Sequence, residues 1–412
     1  MRKLGRAAGL VLSGALISAA PARADVVTEW NAITVAAVTV QRPGVPGLFD
    51  IALVHAAIHD AVQAIEGEFE PYHYSDPTKL GVGSPEAAAA AAAHRILVLL
   101  YPTLQTTFDA AYETYLSTHG LVGDGGLAVG EAAATSLYND EYRPVIAVEP
   151  FVGRTEIGQW RSSVPLAFLY MASSEPFTLN RVSQFRPQPP PPLTSGQYLR
   201  DYNEVKAAGA SAVHPNGTTN MALFWSLNFV TQWNEALRRI AETHLSDIGD
   251  SARLFALANL AAADSAMAVW EAKYHYNFWR PSTAIRQAAD DGNKKTEADV
   301  AWTPLFADPP YPDYPSGANG LSGAFLGILQ LFFGTNDFSF SVKTTSANVL
   351  VTEKERQFTS FSQAAQEVVD ARMLLGIHFR FADEEAMRLG GRVAHWVFQK
   401  FLRPVPGSSS DQ

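Results

Sequence analysis

The sequence contains no cysteine among its 412 residues. Disulfide bonds, thiolate zinc sites and cysteine nucleophiles are therefore excluded. Basic residues are also scarce, with 31 Lys and Arg against 41 Asp and Glu, and this acidic balance argues against a nucleic-acid partner. The same negative charge repels anions at long range, so an anion-binding site in this chain requires a local cluster of basic side chains.

Long hydrophobic runs are also lacking, apart from one between about residues 7 and 20, and it is shorter than the roughly 20 residues of a membrane-spanning helix. Arg2, Lys3 and Arg6 precede this run, and the small-residue signal Ala22-Arg23-Ala24 follows it. The arrangement predicts an export signal peptide over residues 1–24. We therefore expect an exported protein, periplasmic or extracellular, with no membrane span. The sequence does not determine its oligomeric state.

Strand signals are few, whereas apolar residues recur at helical spacing through most of the chain. The segment from Ser84 to Tyr101 begins with Ser-Pro-Glu, a helix cap and first turn, and stops at Pro102. Residues 26–40 suit a strand or a helix, residues 338–351 suit a hairpin or a loop, and residues 353–375 are predicted as one helix. The fold class predicted is all-α, with two helical bundles merged into one unit and long loops.

The strongest break in the helical pattern is the proline-rich segment 186–193, Arg-Pro-Gln-Pro-Pro-Pro-Pro-Leu, which predicts an extended polyproline-like stretch. Helical patterns resume on both sides of it. We therefore expect a surface crossover packed on one helical body, with a free linker as the alternative. The predicted organisation is an N-terminal helical region, a C-terminal helical bundle that carries the site, and a flexible tail, at residues 25–185, 186–402 and 403–412.

Two cations, Lys273 and Arg280, stand seven residues apart and before Pro281. On a helix this spacing places both cations on one face, and the proline ends the helix beside them. Two like charges on one face repel each other, so an anion between them is stabilising. The residues between them are largely aromatic: Tyr274, Tyr276, Phe278 and Trp279. Such packing argues against the alternative, a solvated basic edge.

A second segment leads from a proline-rich loop into a helix made of small residues, and Ser316 and Gly317 stand at the junction. Ser316 offers a hydroxyl and Gly317 an unobstructed backbone N–H. Free N–H groups and the helix dipole favour an anion at such a position. Taken alone, the segment slightly favours an ordinary capping loop over an anion site.

A third segment places Arg372 near the end of a helix, which Gly376 can stop in a left-handed conformation. His378 then lies just beyond the helix and is free to point into a pocket. The alternative for a single histidine at this place is a purely structural hydrogen bond.

In this order, K-x6-R-P, P-S-G and R-x5-H resemble the motifs of the vanadium-dependent haloperoxidases and the type 2 phosphatidic acid phosphatases. Residues 55–65, 189–192 and 202–206 are similar to the bacterial haloperoxidase-like branch, and the resemblance extends over about residues 27–402. It implies a vanadate cofactor, with phosphate competing for the site. It also implies roles: Lys273, Arg280 and Arg372 neutralise the oxyanion, Ser316 and the Gly317 N–H donate hydrogen bonds, and His378 is the vanadium ligand or the nucleophile toward phosphorus. We take His378 and Lys273 as the catalytic residues.

The chain departs from the family pattern at the position after P-S-G, where the family has an acid–base histidine and this sequence has Ala318. Neither Asn319, which cannot carry a proton at neutral pH, nor His275, which lies about 200° around the helix from Lys273, is expected to replace that histidine. Members similar to chloroperoxidase place an aspartate four residues after the axial histidine, where this chain has Ala382. The next residue, Asp383, is predicted to cap the last helix and is not assigned to the site.

The function predicted is a vanadate-dependent haloperoxidase-like enzyme that oxidises bromide or iodide with hydrogen peroxide, with reduced competence for chloride. One alternative is a phosphatase that acts on a phosphate ester through a phosphoenzyme at His378. Another is an oxyanion-binding protein with little turnover, because Ala318 cannot move protons. A catalyst of rearrangement with the same fold is a further alternative. The halide preference and the organic acceptor are not determined by the sequence.

A different class of function follows from His55, His59 and Asp60. On a helix the two histidines share a face, which suits zinc or iron. The zincin motif fails because no glutamate follows the first histidine. We therefore expect polar residues in a buried, alanine-rich helix.

Overall fold

The structure is a computed structural model that describes residues 25–162, 164–210, 218–226 and 228–408. The predicted export signal, residues 1–24, lies outside the described residues. Within these ranges the chain is mostly helical, which confirms the predicted fold class. The helices are α1 (Val26–Gln41), α2 (Gly47–Glu66), α3 (Pro85–Leu100), α4 (Gln105–His119), α5 (Gly126–Glu141), α6 (Gly196–Ala208), α7 (Thr218–Phe224), α8 (Phe229–His244), α9 (Ile248–Tyr276), α10 (Pro281–Arg286), α11 (Gly317–Phe333), α12 (Phe361–Leu374) and α13 (Arg380–Lys400), and the strands are β1 (Asp337–Lys343) and β2 (Glu355–Ser360).

The first half of the chain is built around α2, whose residues are buried from Gly47 to Ile65. Helix α3 packs between α2 and α5 through seven fully buried alanines, residues 87–93. Their short side chains let the helices approach closely. A Cβ atom on Gly130 of α5 would lie only 2.2 Å from the Ala88 carbonyl oxygen, so this contact requires glycine.

Helix α9 joins the two halves of the fold. It packs against α2 on one side and against α11 and α13 on the other. Nearly all of its residues are buried, and one apolar core runs from the first helices to α13. A helix that is apolar on every face belongs in the core of a large protein. The two bundles are therefore merged, as predicted.

Two helices, α2 and α9, are long and apolar enough to cross a membrane by length and composition. Helices α3 and α4 meet at a bend of 117° and would meet the same criteria as one broken span. In this fold the apolar windows of α2 and α9 are completely buried among other helices. The expected absence of a membrane span stays a prediction.

The helix predicted over residues 353–375 is wrong in its first part. Residues Glu355–Ser360 form β2, which pairs antiparallel with β1, so the hairpin expected near residues 338–351 extends further along the chain. Helix α12 begins only at Phe361, because the Ser360 side chain accepts the Gln363 N–H and caps it. Residues 26–40, which suited either element, are helical.

The proline-rich segment crosses the surface and is attached to the second half. The Tyr276 hydroxyl donates to the Pro187 carbonyl and the Tyr314 hydroxyl donates to the Gln188 carbonyl, both over 2.6 Å. This is the packed crossover that the sequence favoured over a free linker. The start of the predicted tail is also attached, since the Glu70 N–H donates to the Arg403 carbonyl over 2.8 Å.

Candidate oxyanion site

The predicted site residues come from five places in the second half of the fold. Lys273 lies in the last turn of α9, Arg280 just before α10, Ser316 and Gly317 at the start of α11, Arg372 in the last turn of α12, and His378 just before α13. All six are buried, and the three cations and His378 expose 4% or less of their surface. Charged side chains are rarely buried without partners, so their contacts indicate what the site can hold.

Lys273 and Arg280 do not share a helix face, which corrects the geometry expected from their spacing. Helix α9 ends at Tyr276, because Asn277 adopts a left-handed conformation with φ of 46°. The chain then pairs with an upstream loop: the Trp160 N–H donates to the Asn277 carbonyl, and the Trp279 N–H donates to the Gly158 carbonyl. Arg280 therefore reaches the cluster through a turn, and Pro281 begins α10 rather than ending α9.

The guanidinium group of Arg280 is held by backbone carbonyl groups. Its Nε donates to the Tyr311 carbonyl over 2.9 Å, and its Nη1 donates to the Ile377 carbonyl over 2.6 Å. The group also lies 5.0 Å from the Tyr311 ring centroid, within cation–π range. Its Nη2 is buried and has no hydrogen-bond partner among the described residues. The arginine is thus oriented by protein contacts and keeps a donor available.

The ammonium group of Lys273 is oriented in a similar way. Its Nζ donates to the Pro312 carbonyl over 2.8 Å and to the Asp313 carbonyl over 3.0 Å, and lies 4.9 Å from the Tyr311 ring centroid. An ammonium group has three donor hydrogens, so one remains. Complete burial, with a further contribution from the nearby charge of Arg280, lowers the pKa of Lys273 well below its usual value.

The start of α11 has the features of an anion site. Ser316 is the residue before the first turn, and its side chain does not cap its own helix. Its Oγ instead accepts the Asn319 side-chain amide over 3.3 Å. A Cβ atom on Gly317 would lie 3.1 Å from the Trp270 ring, so glycine permits the close approach of this turn to the indole. The first N–H groups of a helix have no intrahelical acceptor and point outward.

Arg372 approaches from α12. Its Nη1 donates to the Trp225 carbonyl over 3.0 Å, and its guanidinium group lies 5.5 Å from the Phe229 ring centroid. Its Nε is buried, and no acceptor for it occurs in the described part of the chain. Burial lowers the pKa of Arg372 from its usual value. A second unpartnered guanidinium donor therefore faces this region.

His378 contacts an aspartate that the sequence reasoning did not assign. Its Nδ1 lies 2.7 Å from Oδ1 of Asp313, and its Nε2 lies 3.2 Å from Nη1 of Arg280. Burial and the surrounding cations lower the pKa of His378 well below its usual value, while burial raises the pKa of Asp313 well above its own. The available signal was the position of Asp313, an acid three residues before Ser316 in a segment already expected to form the site.

Asp383 does not cap the last helix, and the sequence-based interpretation of it was wrong. The residue before α13 is Phe379, which provides no side-chain cap. Asp383 lies within the first turn, is fully buried, and accepts the Asn319 side-chain amide over 2.7 Å. Burial raises the pKa of Asp383 to about 8. The aspartate therefore belongs to the immediate surroundings of Ser316.

A cavity of about 140 Å³ leads to the start of α11. Ala318, at the position where the sequence resemblance predicted an acid–base histidine, lines this cavity. Neither proposed replacement reaches it: Asn319 is buried against Asp383, and His275 is exposed and packs against Tyr276. The other lining residues are Gly44, Val45, Ser226, Asn228, Phe229, Val230, Trp270, Tyr311, Gly317, Leu321 and Arg372.

The residues present fit a tetrahedral oxyanion. Three buried basic side chains lie near two buried aspartates, and burial raises the pKa values of the aspartates and lowers that of Lys273. A bound anion would stabilise the charged form of these bases. Two guanidinium nitrogens lack partners within the described ranges, and a helix start lies beside them. Guanidinium groups and helix N-termini are the groups that proteins use to bind phosphate-like anions.

The histidines of α2 do not form a metal site. The His55 Nε2 lies 2.7 Å from the Asn31 amide, and the His59 Nε2 lies 3.0 Å from the Glu70 carbonyl, so the rings serve different partners. Asp60 accepts three backbone N–H groups instead of facing either ring. Burial lowers the pKa of His55 to about 3 and that of His59 to about 4. Both are neutral structural residues of a buried helix, as expected.

Comparison with known proteins agrees with this geometry. Residues 253–407 match the family described as VCPO second helical-bundle domain. Vanadium chloroperoxidase of Curvularia inaequalis is 26% identical over a match that spans 36% of this chain and about a third, 32%, of that protein.

Two solved structures are similar over nearly the whole chain. The first bacterial vanadium-dependent iodoperoxidase has a TM-score of 0.73 at 24% identity, covering 92% of this chain and 97% of that one. A holo-type bacterial vanadium-dependent chloroperoxidase has a TM-score of 0.70 at 14% identity, covering 93% and 98%. The chain therefore has the fold of the vanadium-dependent haloperoxidases, and its predicted resemblance to that family is confirmed.

Proposed function

We propose that the protein is a vanadate-dependent haloperoxidase-like enzyme that oxidises bromide or iodide with hydrogen peroxide. The observation that carries the proposal is the buried cluster of three cations around His378, with unpartnered guanidinium nitrogens, beside a cavity that reaches the start of α11. The similar proteins support it, since they include a vanadium-dependent iodoperoxidase and vanadium chloroperoxidases.

The cofactor that this cluster suits is vanadate, and phosphate competes because it has the same shape and charge. When bound, vanadate supplies the centre at which peroxide is activated to oxidise halide. Lys273, Arg280 and Arg372 offset the negative charge of the oxyanion. Ser316 and the Gly317 N–H donate further hydrogen bonds, and His378 provides the ring nitrogen that binds vanadium.

The absence of an acid–base side chain at Ala318 limits the chemistry. A positioned proton donor or acceptor contributes about 10²–10⁴-fold to a rate. Chloride is harder to oxidise than bromide or iodide, so it is the halide most affected by this loss. The proposal is therefore an enzyme for the more easily oxidised halides, with slow proton transfer.

Export and the division of the chain remain part of the proposal. An exported chain with a signal over residues 1–24 acquires vanadate outside the cytoplasm. The C-terminal bundle over residues 186–402 would carry the whole oxyanion site, because each of the six site residues lies within it.

The decisive experiment is a halogenation assay. Purified protein is loaded with orthovanadate and assayed with peroxide, bromide and a phenol-type acceptor across a range of pH. We expect vanadate-dependent bromination that is inhibited by excess phosphate and abolished in His378→Ala. The matched control is His395→Ala, which removes an exposed histidine of α13 and should leave the rate unchanged. The assay is repeated with iodide. Absence of both bromination and iodide oxidation at every pH would contradict the proposal.

Two other outcomes separate the alternatives. Hydrolysis of p-nitrophenyl phosphate by vanadate-free protein, lost in His378→Ala, would identify a phosphatase that uses the same cluster. Tight vanadate binding without either activity would identify an oxyanion-binding protein.

A further inference from the structure

We propose that Asp313 is a positioning residue that holds the proton of His378 on Nδ1 and leaves the lone pair of Nε2 directed into the oxyanion cluster. The effect of this tautomer on vanadate binding rests on the proposed function. The tautomer itself is a property of the unloaded protein. The carboxylate comes from the loop before α11, whereas the position four residues after His378 is Ala382 and offers no carboxylate.

The neighbours of the two ring nitrogens assign the tautomer. Nε2 lies 3.2 Å from Nη1 of Arg280, and a guanidinium nitrogen can only donate. The same Nη1 lies 3.4 Å from Nδ1, so it is nearly equidistant from the two ring nitrogens. Nδ1 lies 2.7 Å from Oδ1 of Asp313, the shortest contact of the ring. This contact assigns the tautomer, because a hydrogen on Nδ1 faces the Asp313 oxygen, whereas Nη1 of Arg280 does not distinguish the two ring nitrogens.

Asp313 is itself held in place. It is completely buried, and its backbone N–H donates to the Phe278 carbonyl over 3.0 Å. Its carbonyl oxygen accepts from Lys273 Nζ over 3.0 Å. The loop is therefore fixed by the same cation that faces the oxyanion. Its side chain is shielded from solvent, so the contact with His378 lies in the interior of the unloaded site.

The consequence for binding follows from histidine chemistry. A histidine binds a metal or attacks an electrophile through an unprotonated ring nitrogen, and the partner of the other nitrogen fixes which one that is. With its proton on Nδ1, His378 presents Nε2 in the required state before the oxyanion arrives. Loss of such an outer partner typically costs 10–100-fold in affinity.

The first test measures the tautomer directly. Long-range ¹H–¹⁵N correlation spectra of the unloaded protein distinguish a protonated Nδ1 from a protonated Nε2, and the signals of His378 are identified by their absence in His378→Gln. We expect a protonated Nδ1 and an unprotonated Nε2 at neutral pH. A protonated Nε2 in the wild-type protein would overturn the proposal without the need for any variant.

The second test uses Asp313→Asn, which preserves shape and lets an amide hydrogen face Nδ1. We expect the Nε2–H tautomer to appear and the vanadate affinity, measured by titration calorimetry, to fall by about 10–100-fold. The control is Asp291→Asn. The Asp291 carboxyl group is buried and accepts hydrogen bonds from Asn293 and Thr296. Neither the tautomer of His378 nor the vanadate affinity should change in this variant.

The outcomes remain separable from those of the halogenation assay. Wild-type tautomer and affinity in folded Asp313→Asn would overturn the positioning role even if vanadate-dependent bromination is observed. A changed tautomer with weakened vanadate binding would support the role even in a protein that does not brominate.

Discussion

The side-chain amide of Asn319 donates to Oδ1 of Asp383 over 2.7 Å, which joins the first turn of α11 to the first turn of α13. The same amide reaches Oγ of Ser316, so the residues that begin the oxyanion site are connected to a buried carboxyl group. The other oxygen of Asp383, Oδ2, has no hydrogen-bond partner among the described residues. An aspartate in this setting is expected to retain its proton at neutral pH.

Asp383→Asn is therefore predicted to alter how stability depends on pH. Burial raises the pKa of Asp383 to about 8, whereas an unfolded aspartate ionises near pH 4. Between these values the folded protein holds a proton that the unfolded chain has released, so the free energy of unfolding falls as the pH rises. The variant lacks this contribution. Its stability relative to wild type should increase from pH 5 to pH 8 in urea denaturation of the unloaded protein. If the free energies of unfolding of the two proteins depend on pH in the same way, the raised pKa of Asp383 is refuted.

Asp60→Asn, in contrast, is predicted to destabilise the folded protein. Both oxygens of Asp60 are occupied, since they accept the N–H groups of Tyr72, His73 and Tyr74. In the asparagine variant the side-chain NH2 group replaces one accepting oxygen and faces backbone N–H groups, which are also donors. Buried N–H groups are then left without an acceptor, at a cost of about 1–3 kcal/mol. Chemical denaturation at pH 7 measures the loss. Asp290→Asn, at an exposed residue, provides the comparison and should change stability by less than about 0.5 kcal/mol. An equal effect at both positions would contradict the prediction.

Arg280→Lys and Arg372→Lys should each weaken vanadate binding by about 10- to 100-fold. Both guanidinium groups donate to a backbone carbonyl and retain an unpartnered nitrogen, and an ammonium group cannot reproduce that fixed fork. Hydrogen bonds to charged groups contribute about 1.5–3 kcal/mol, which corresponds to this range. Vanadate titration of the unloaded protein is the measurement. Arg388→Lys, at an exposed position of α13, should bind like wild type. Unchanged affinity in both site variants would place the oxyanion elsewhere.

Ala318→His should raise the rate of bromide oxidation, by up to about 10²–10⁴-fold. The alanine lines the cavity beside Gly317, so an imidazole there adjoins the start of α11 and can move protons. Steady-state bromination with vanadate-loaded protein measures the gain. Ala318→Leu fills the same space without a titratable group and should give no increase. If the histidine variant binds vanadate normally and gains nothing, the cavity does not serve proton transfer.

The sequence was sufficient for the helical class. It also indicated six site residues, because each lies in a short motif with a definite chemistry; all six are buried, and their roles stay predictions. It was insufficient to predict the path of the chain that brings Arg280 into the site. Helical spacing explained its alignment with Lys273, yet the left-handed Asn277 breaks that helix and the loop near Trp160 redirects the chain. A contact with a segment more than a hundred residues away leaves no local signal.

The two aspartates of the site were missed for related reasons. Asp383 stands where an acid favours a helix start, so a local rule accounted for it, and only the packing of α11 on α13 shows that it is buried. Asp313 lies in a loop whose path cannot be derived from propensities.

Helix α4 was not predicted from the sequence, since few of its side chains are buried and its apolar pattern is weak.

The burial of the cluster also determines how fast its contents can change. An oxyanion bound by the three cations would have to separate from them before leaving, and an exit along the cavity would pass Arg372 and the apolar surfaces of Trp270 and Phe229. Release of a charged group from such surroundings is slow. In a mixture of phosphate and vanadate, the occupant will therefore reflect residence time and order of arrival as well as equilibrium preference. On the proposed function, the exchange rate of phosphate would then limit how quickly the protein acquires vanadium.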